Sequence, residues 1–127
     1  MDSQNTLPIN KLLVAEDNES NFLLLMTILK KDYQIIHAVD GVETLQKYRQ
    51  YSPDAILMDL KMPNMDGLEA TREIRKLNTY IPIIIVSAFA FDSDKQEANE
   101  AGCTDYLTKP IDSRLLKETL KKYLSWN

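Results

Sequence analysis

Short apolar runs alternate along this chain with stretches whose apolar residues recur at helical spacing, a pattern that predicts repeated βα units and a parallel sheet. Lys11 to Ala15 reads as the first strand, and the Asp17 and Asn18 acceptors can cap a helix from Glu19 to Lys31. Phe22, Leu25, Met26 and Leu29 fall at i, i+3, i+4 and i+7, so they predict its buried stripe. Gln34 to Val39 is the second strand, and Asp40-Gly41 turns into a helix from Val42 to Gln50. Asp54 to Met58 is the third strand. A Pro63-Asn64-Met65-Asp66-Gly67 loop then leads to a helix through Lys76, with Ala70, Ile74 and Leu77 at helical spacing. Ile81 to Val86 is apolar throughout and rich in β-branched residues, as expected of a central strand covered on both faces.

The segment from Asp92 to Ala101 breaks the pattern. Ser93 and Gln96 predict a capping box, but only Ala98 and Ala101 offer apolar contacts, so the helix is expected to be loosely held. Gly102 supplies a left-handed stop, and Asp105 to Leu107 is a short fifth strand. Asp112 can cap a last helix with Leu115, Leu116, Leu120 and Tyr123 on one face. Five strands and five helices joined by right-handed crossovers predict a doubly wound α/β fold with strand order 2-1-3-4-5.

Composition narrows what such a fold carries. A chain of 127 residues makes one domain, so its output is expected to pass through another chain or a further part. Met1 to Asn10 reads as a polar leader or linker and 11–125 as the domain. The net charge of -4 has the wrong sign for a nucleic-acid footprint. A single cysteine, Cys103, permits neither an internal disulfide nor a cysteine metal cage and suits a reducing compartment. No apolar run approaches the ~20 residues of a membrane span, and the leader lacks the build of a signal peptide. A cytoplasmic location without membrane contact is therefore expected.

Polar groups stand where the apolar runs stop: Glu16 and Asp17, Asp59, Ser87, and Lys109 before Pro110. In a parallel sheet the carboxyl ends of the strands share one edge, and ligands bind at that edge. Two carboxylates about 4 Å apart repel by roughly 4 kcal/mol at an effective dielectric near 20, so gathering three demands a cation. Lys109 leaves a formal balance of about -2, which a divalent ion cancels, and hard oxygen ligands suit Mg²⁺. His37 stands alone in the second strand, which argues against zinc. Asp59, held at a strand end, is the best-placed nucleophile for a phosphoryl group; metal and Lys109 would neutralise charge, and Ser87 would donate a hydrogen bond.

Each residue also has an ordinary reading. Asp17 serves equally as a helix cap, Asp59 as the start of a turn, Lys109 as a solvated lysine, and Tyr106 as a packed aromatic. Their joint occurrence at successive strand ends favours one site.

These motifs carry a resemblance. Glu16-Asp17, Asp59 followed by Met62-Pro63 and Met65-Asp66-Gly67, Ser87-Ala88 and Lys109-Pro110 together resemble a receiver domain of two-component signalling, over residues 10 to 125. The resemblance implies a flavodoxin-like fold and a phosphoacceptor at Asp59. It implies Mg²⁺ held by Asp17, Asp59 and the Lys61 carbonyl, with Glu16 holding the metal's water. It makes Ser87 and Lys109 the phosphoryl contacts, and Ser87 and Tyr106 the switch. A Lys109-Pro110 peptide in the cis form is also implied, as is a histidine kinase or histidine phosphotransfer domain as partner. The run Asp17-Asn18-Glu19-Ser20-Asn21 resembles receivers of hybrid sensor kinases more than those joined to DNA-binding domains; a stand-alone regulator is the alternative. Such a module signals and is not an enzyme in its own right. Two competitors are an aspartyl-phosphate phosphatase, which would want an acid where Lys61 stands, and an unphosphorylated interaction module on the same fold. Glycines 41, 67 and 102 are scattered, which argues against a nucleotide-cradling loop.

Overall fold

A computed structural model describes residues 10–124. The elements run β1 (Asn10–Ala15), α1 (Glu19–Leu29), β2 (Tyr33–Ala38), α2 (Gly41–Tyr51), β3 (Ala55–Met58), α3 (Gly67–Leu77), β4 (Ile83–Ser87), α4 (Asp92–Ala101), β5 (Asp105–Thr108) and α5 (Ser113–Leu124). All strand pairs are parallel, in the order β2-β1-β3-β4-β5. Asn10, read as the end of the leader, is the first residue of β1 and lies opposite Tyr33; the rest of the leader lies outside the described residues.

Alternation along each strand sorts side chains onto two faces. Leu13, Ala15, Ile56, Met58, Ile83 and Ile85 pack with Leu45 of α2, Ala70 and Ile74 of α3 and Ala98 of α4. Leu12, Val14, Leu57, Ile84 and Val86 pack with Leu25 and Leu29 of α1 and Leu116 and Leu120 of α5. Both faces are covered, so β3 and β4 carry no polar residue before their ends.

The element boundaries shift by a residue or two where side chains replace ladder bonds. β4 starts at Ile83 because Pro82 has no N–H to donate, although its carbonyl still accepts from the Ile56 N–H at 2.9 Å. Asp54 stays out of β3, and its carboxylate accepts from the Lys11 backbone N–H at 2.7 Å. β2 stops before Val39, whose N–H donates to Glu43 Oε1 at 3.0 Å.

The helix faces are narrower than the spacing predicts. Leu25 and Leu29 of α1 are buried, but Met26 is 37% exposed, as are Leu77 of α3 (53%) and Leu115 of α5 (48%). A helix lying on a sheet touches it along a single stripe, so residues one step round the cylinder meet solvent. The capping box expected from Ser93 and Gln96 is also corrected. Helix α4 begins at Asp92, which makes Asp94 its third residue, and Asp94 Oδ2 accepts from the Phe91 N–H at 3.2 Å. As expected, α4 buries only Ala98 and Ala101, and it ends at Gly102 with φ of 108°.

Candidate functional site

The carboxyl ends of β1, β3, β4 and β5 bring the polar strand-end residues to one rim. Glu16 follows β1 directly; its N–H donates to the Ala38 carbonyl at 3.0 Å, and its side chain is buried. Asn18, rather than Asp17, caps α1, accepting from the Asn21 N–H at 2.9 Å. Asp17 is thereby left exposed at the rim. Asp59 follows β3, and its N–H donates to the Ala15 carbonyl at 3.0 Å, which ties it to the end of β1. Gly67 secures it from the other side: a Cβ there would stand 2.2 Å from the Asp59 carbonyl oxygen, so only glycine lets α3 start this close.

Glu16, Asp17 and Asp59 each offer a carboxylate oxygen, and these oxygens all lie within 4.8 Å of one another. Lys109 Nζ donates to Glu16 Oε1 at 3.0 Å and to Asp59 Oδ2 at 3.4 Å. Its side chain is largely buried, so it is not a solvated loop lysine. Asp59 Oδ1 accepts from the Lys61 N–H at 3.3 Å. Ser87, fully buried at the end of β4, accepts from the Phe89 N–H through its hydroxyl at 3.1 Å, and its carbonyl accepts from the Lys109 N–H at 2.8 Å. The Lys109–Pro110 peptide is cis. Tyr106 is half-buried; its hydroxyl donates to the Phe89 carbonyl at 2.5 Å and lies against Ser87.

The charges are under tension. Burial, then the charge of Asp59 and a hydrogen bond with it, pushes the Glu16 carboxyl from 4.5 up to about 7, against the pull of Lys109 and the Asn18 N–H. Burial works against the Lys109 charge as well, yet the Glu16 hydrogen bond and the Asp59 charge carry its pKa above the ordinary lysine value. One ammonium does not balance three carboxylates. Three clustered hard oxygen donors, one of them open to solvent, fit a small divalent cation such as Mg²⁺.

Two contacts at this rim do not follow from the sequence, although Lys61 and Phe89 are expected from it to flank the approach of hydrolytic water. His37, read as a lone strand residue, places Nε2 2.8 Å from the Glu16 carbonyl and stacks on Phe22. Lys61 sets its ammonium 5.0 Å from the Phe89 ring centroid, which joins the β3–α3 and β4–α4 loops across the mouth of the site. Neither contact follows from spacing, since each depends on which loops meet.

Residues 12–121 match the model of the response regulator receiver domain. The chain belongs to that family. As a receiver of two-component signalling it is similar to hybrid signal transduction histidine kinase I of Dictyostelium discoideum, at 42% identity over 92% of this chain and 8% of that protein. The receiver therefore spans a small part of that relative's length. It is also similar to the polar-differentiation response regulator DivK of Brucella anthropi, at 36% identity over 89% of this chain and 94% of that one. Among solved structures it resembles the receiver domain of a sensor histidine kinase from Pseudomonas aeruginosa, which has magnesium coordinated in its active site cleft. The TM-score is 0.86 and the identity 32%, covering 92% of this chain and 98% of that one. A putative response regulator from Chloroflexus aurantiacus gives a TM-score of 0.89 at 30% identity, covering 94% and 100%. No helix among the described residues of the receiver is long and apolar enough to cross a membrane.

Proposed function

We propose that this receiver accepts a phosphoryl group on Asp59 from the phosphohistidine of a kinase or phosphotransfer partner. The observation that carries the reading is the convergence of three carboxylates within 4.8 Å beside the partly buried Lys109 ammonium. An Asp59 carboxylate oxygen attacks phosphorus, the phosphorus–nitrogen bond breaks, and the imidazole leaves with the electron pair. Lys109 is positioned to pair with the phosphoryl oxygens, and the Ser87 hydroxyl to donate to one of them. Mg²⁺ held by Asp17, Asp59 and the Lys61 carbonyl, with Glu16 on a water ligand, would supply neutralisation of the gathering negative charge. Incubation with acetyl phosphate and Mg²⁺ should add the mass of one phosphoryl group, and a chelator should prevent it; no gain with the metal present would end the proposal.

The similarity to a hybrid kinase favours a phosphorelay receiver within a longer protein. Near full-length similarity to DivK favours a free-standing regulator instead. Both readings share the chemistry at Asp59, a cytoplasmic setting, and a role as signalling module with only self-assisted phosphotransfer and hydrolysis.

Phosphorylation also moves a partner surface in this reading. Attraction of the Ser87 hydroxyl to the phosphoryl group would release the Phe89 N–H it now accepts from, and free Tyr106 to follow. Helix α4, whose two buried residues are both alanines where α1 buries two leucines, is the element least able to resist. Amide exchange with and without beryllofluoride should therefore differ across Ser87 to Gly102, and matching rates there would refute the switch.

The Lys61–Phe89 contact bears on how long the phosphoryl group lasts. A cation–π contact worth about 0.5–1 kcal/mol, lying over the approach of water, sets a two- to fivefold scale. Phe89→Ala and Lys61→Ala should each shorten the aspartyl phosphate half-life by about that factor, and rates equal to those of the unaltered chain would remove the contact from the mechanism.

A further inference from the structure

We propose that His37 is a positioning residue for the metal site, holding the Glu16–Asp17 peptide in place through a hydrogen bond from its Nε2–H. The inference rests on the reading of Glu16, Asp17 and Asp59 as a Mg²⁺ site. A carbonyl oxygen only accepts, so the 2.8 Å contact between His37 Nε2 and the Glu16 oxygen requires the proton to be on Nε2.

The placement of that bond gives it consequence. Glu16 is the first residue beyond β1, whose last ladder pair is Ala15 with Ala38. Among the described residues no backbone N–H donates to its carbonyl, and the histidine takes the place of the missing ladder donor. The carbonyl belongs to the planar peptide that joins Glu16 to Asp17, so fixing its oxygen fixes the plane from which both acidic side chains diverge.

The imidazole is itself held firmly. Its ring lies 3.5 Å from that of Phe22, centroid to centroid, at an interplanar angle of 8°. Its own carbonyl accepts from Lys47 Nζ at 2.5 Å. Phe22 belongs to α1 and Lys47 to α2, so His37 joins β2 and both neighbouring helices to the turn that carries two of the three clustered acids. A ligand-bearing turn that was free to rotate would have to be ordered when the ion arrives, and outer-shell hydrogen bonds avoid that cost.

Two variants separate the hydrogen bond from packing. His37→Phe keeps a ring to stack on Phe22 and removes the donor; His37→Gln removes the ring and keeps an N–H at the corresponding atom. Mg²⁺ should be titrated into each by calorimetry, beside urea unfolding of the metal-free chains. His37→Phe should bind Mg²⁺ about tenfold more weakly than the unaltered chain, while His37→Gln retains most of the affinity. Unchanged affinity in His37→Phe, or affinities that follow the unfolding free energies rather than the donor, would overturn the inference. If His37→Phe does not fold, the imidazole ¹⁵N shifts of the unaltered chain decide: protonation at Nε2 supports the bond, and at Nδ1 alone excludes it. Failure of the unaltered chain to bind Mg²⁺ would instead strike the metal-site reading beneath.

Discussion

A chain carrying Asp59→Asn should gain no phosphoryl mass from acetyl phosphate and Mg²⁺ under conditions expected to modify the unaltered chain fully. The amide oxygen lacks the charge that attacks phosphorus, and loss of a nucleophile costs at least about 10³-fold in rate. Folding should survive the change. The Lys61 N–H that donates to Asp59 Oδ1 can donate equally to an amide oxygen, and the backbone bond from Asp59 to Ala15 does not involve the side chain. Modification of the variant to the same extent would move the acceptor to another residue, and digestion followed by mass measurement would find it.

Raising the pH from 5 to 8 should destabilise the metal-free chain, and Mg²⁺ should restore it. Glu16 is the cause, since burial and Asp59 lift its carboxyl from 4.5 to about 7. A folded chain that holds this proton more tightly than the unfolded chain has the associated stability in full below pH 4.5 and loses it as pH rises through about 7. A tenfold difference in proton affinity between the folded and unfolded chain corresponds to roughly 1.4 kcal/mol, so the loss is on the order of 1–3 kcal/mol. Lys109 stays charged throughout this interval because its pKa lies above the ordinary lysine value. Urea unfolding across the range should show the slope, Asp59→Asn should make it shallower because burial alone still raises the Glu16 carboxyl, and saturating Mg²⁺ should reverse it. A metal-free chain whose stability is level from pH 5 to 8 would show that Glu16 is ionised throughout.

Both results depend on groups that are easily located in the chain and on distances that are not. Glu16, Asp59 and Ser87 can be placed at strand ends because a parallel strand buried on both faces excludes polar residues until it emerges. Lys109 instead follows the half-exposed edge strand β5 and is located by the Pro110 beside it. The ends of β2, β3 and β4 are harder to place. Pro82 removes a donor, and Asp54 and Glu43 satisfy backbone N–H groups that a ladder would otherwise use, so apolar runs and hydrogen-bonded strands do not coincide. Met26, Leu77 and Leu115 look like core residues by periodicity. Their exposure reflects the width of the contact between a helix and a sheet, which apolar spacing does not encode.

The order of residues was enough for the βα alternation, the strand order and the identity of the rim groups, because periodicity and handed crossovers act locally and admit few topologies. It could not say that the Glu16 carboxyl would be buried against Asp59, nor that His37 would reach the carbonyl beside it. Those facts come from packing: Lys109 meets Glu16 across 93 positions of sequence, and His37 meets the same residue across 21. Charge and hydrogen bonding act through space at a few ångströms, and only the assembled sheet turns separations along the chain into distances of that size.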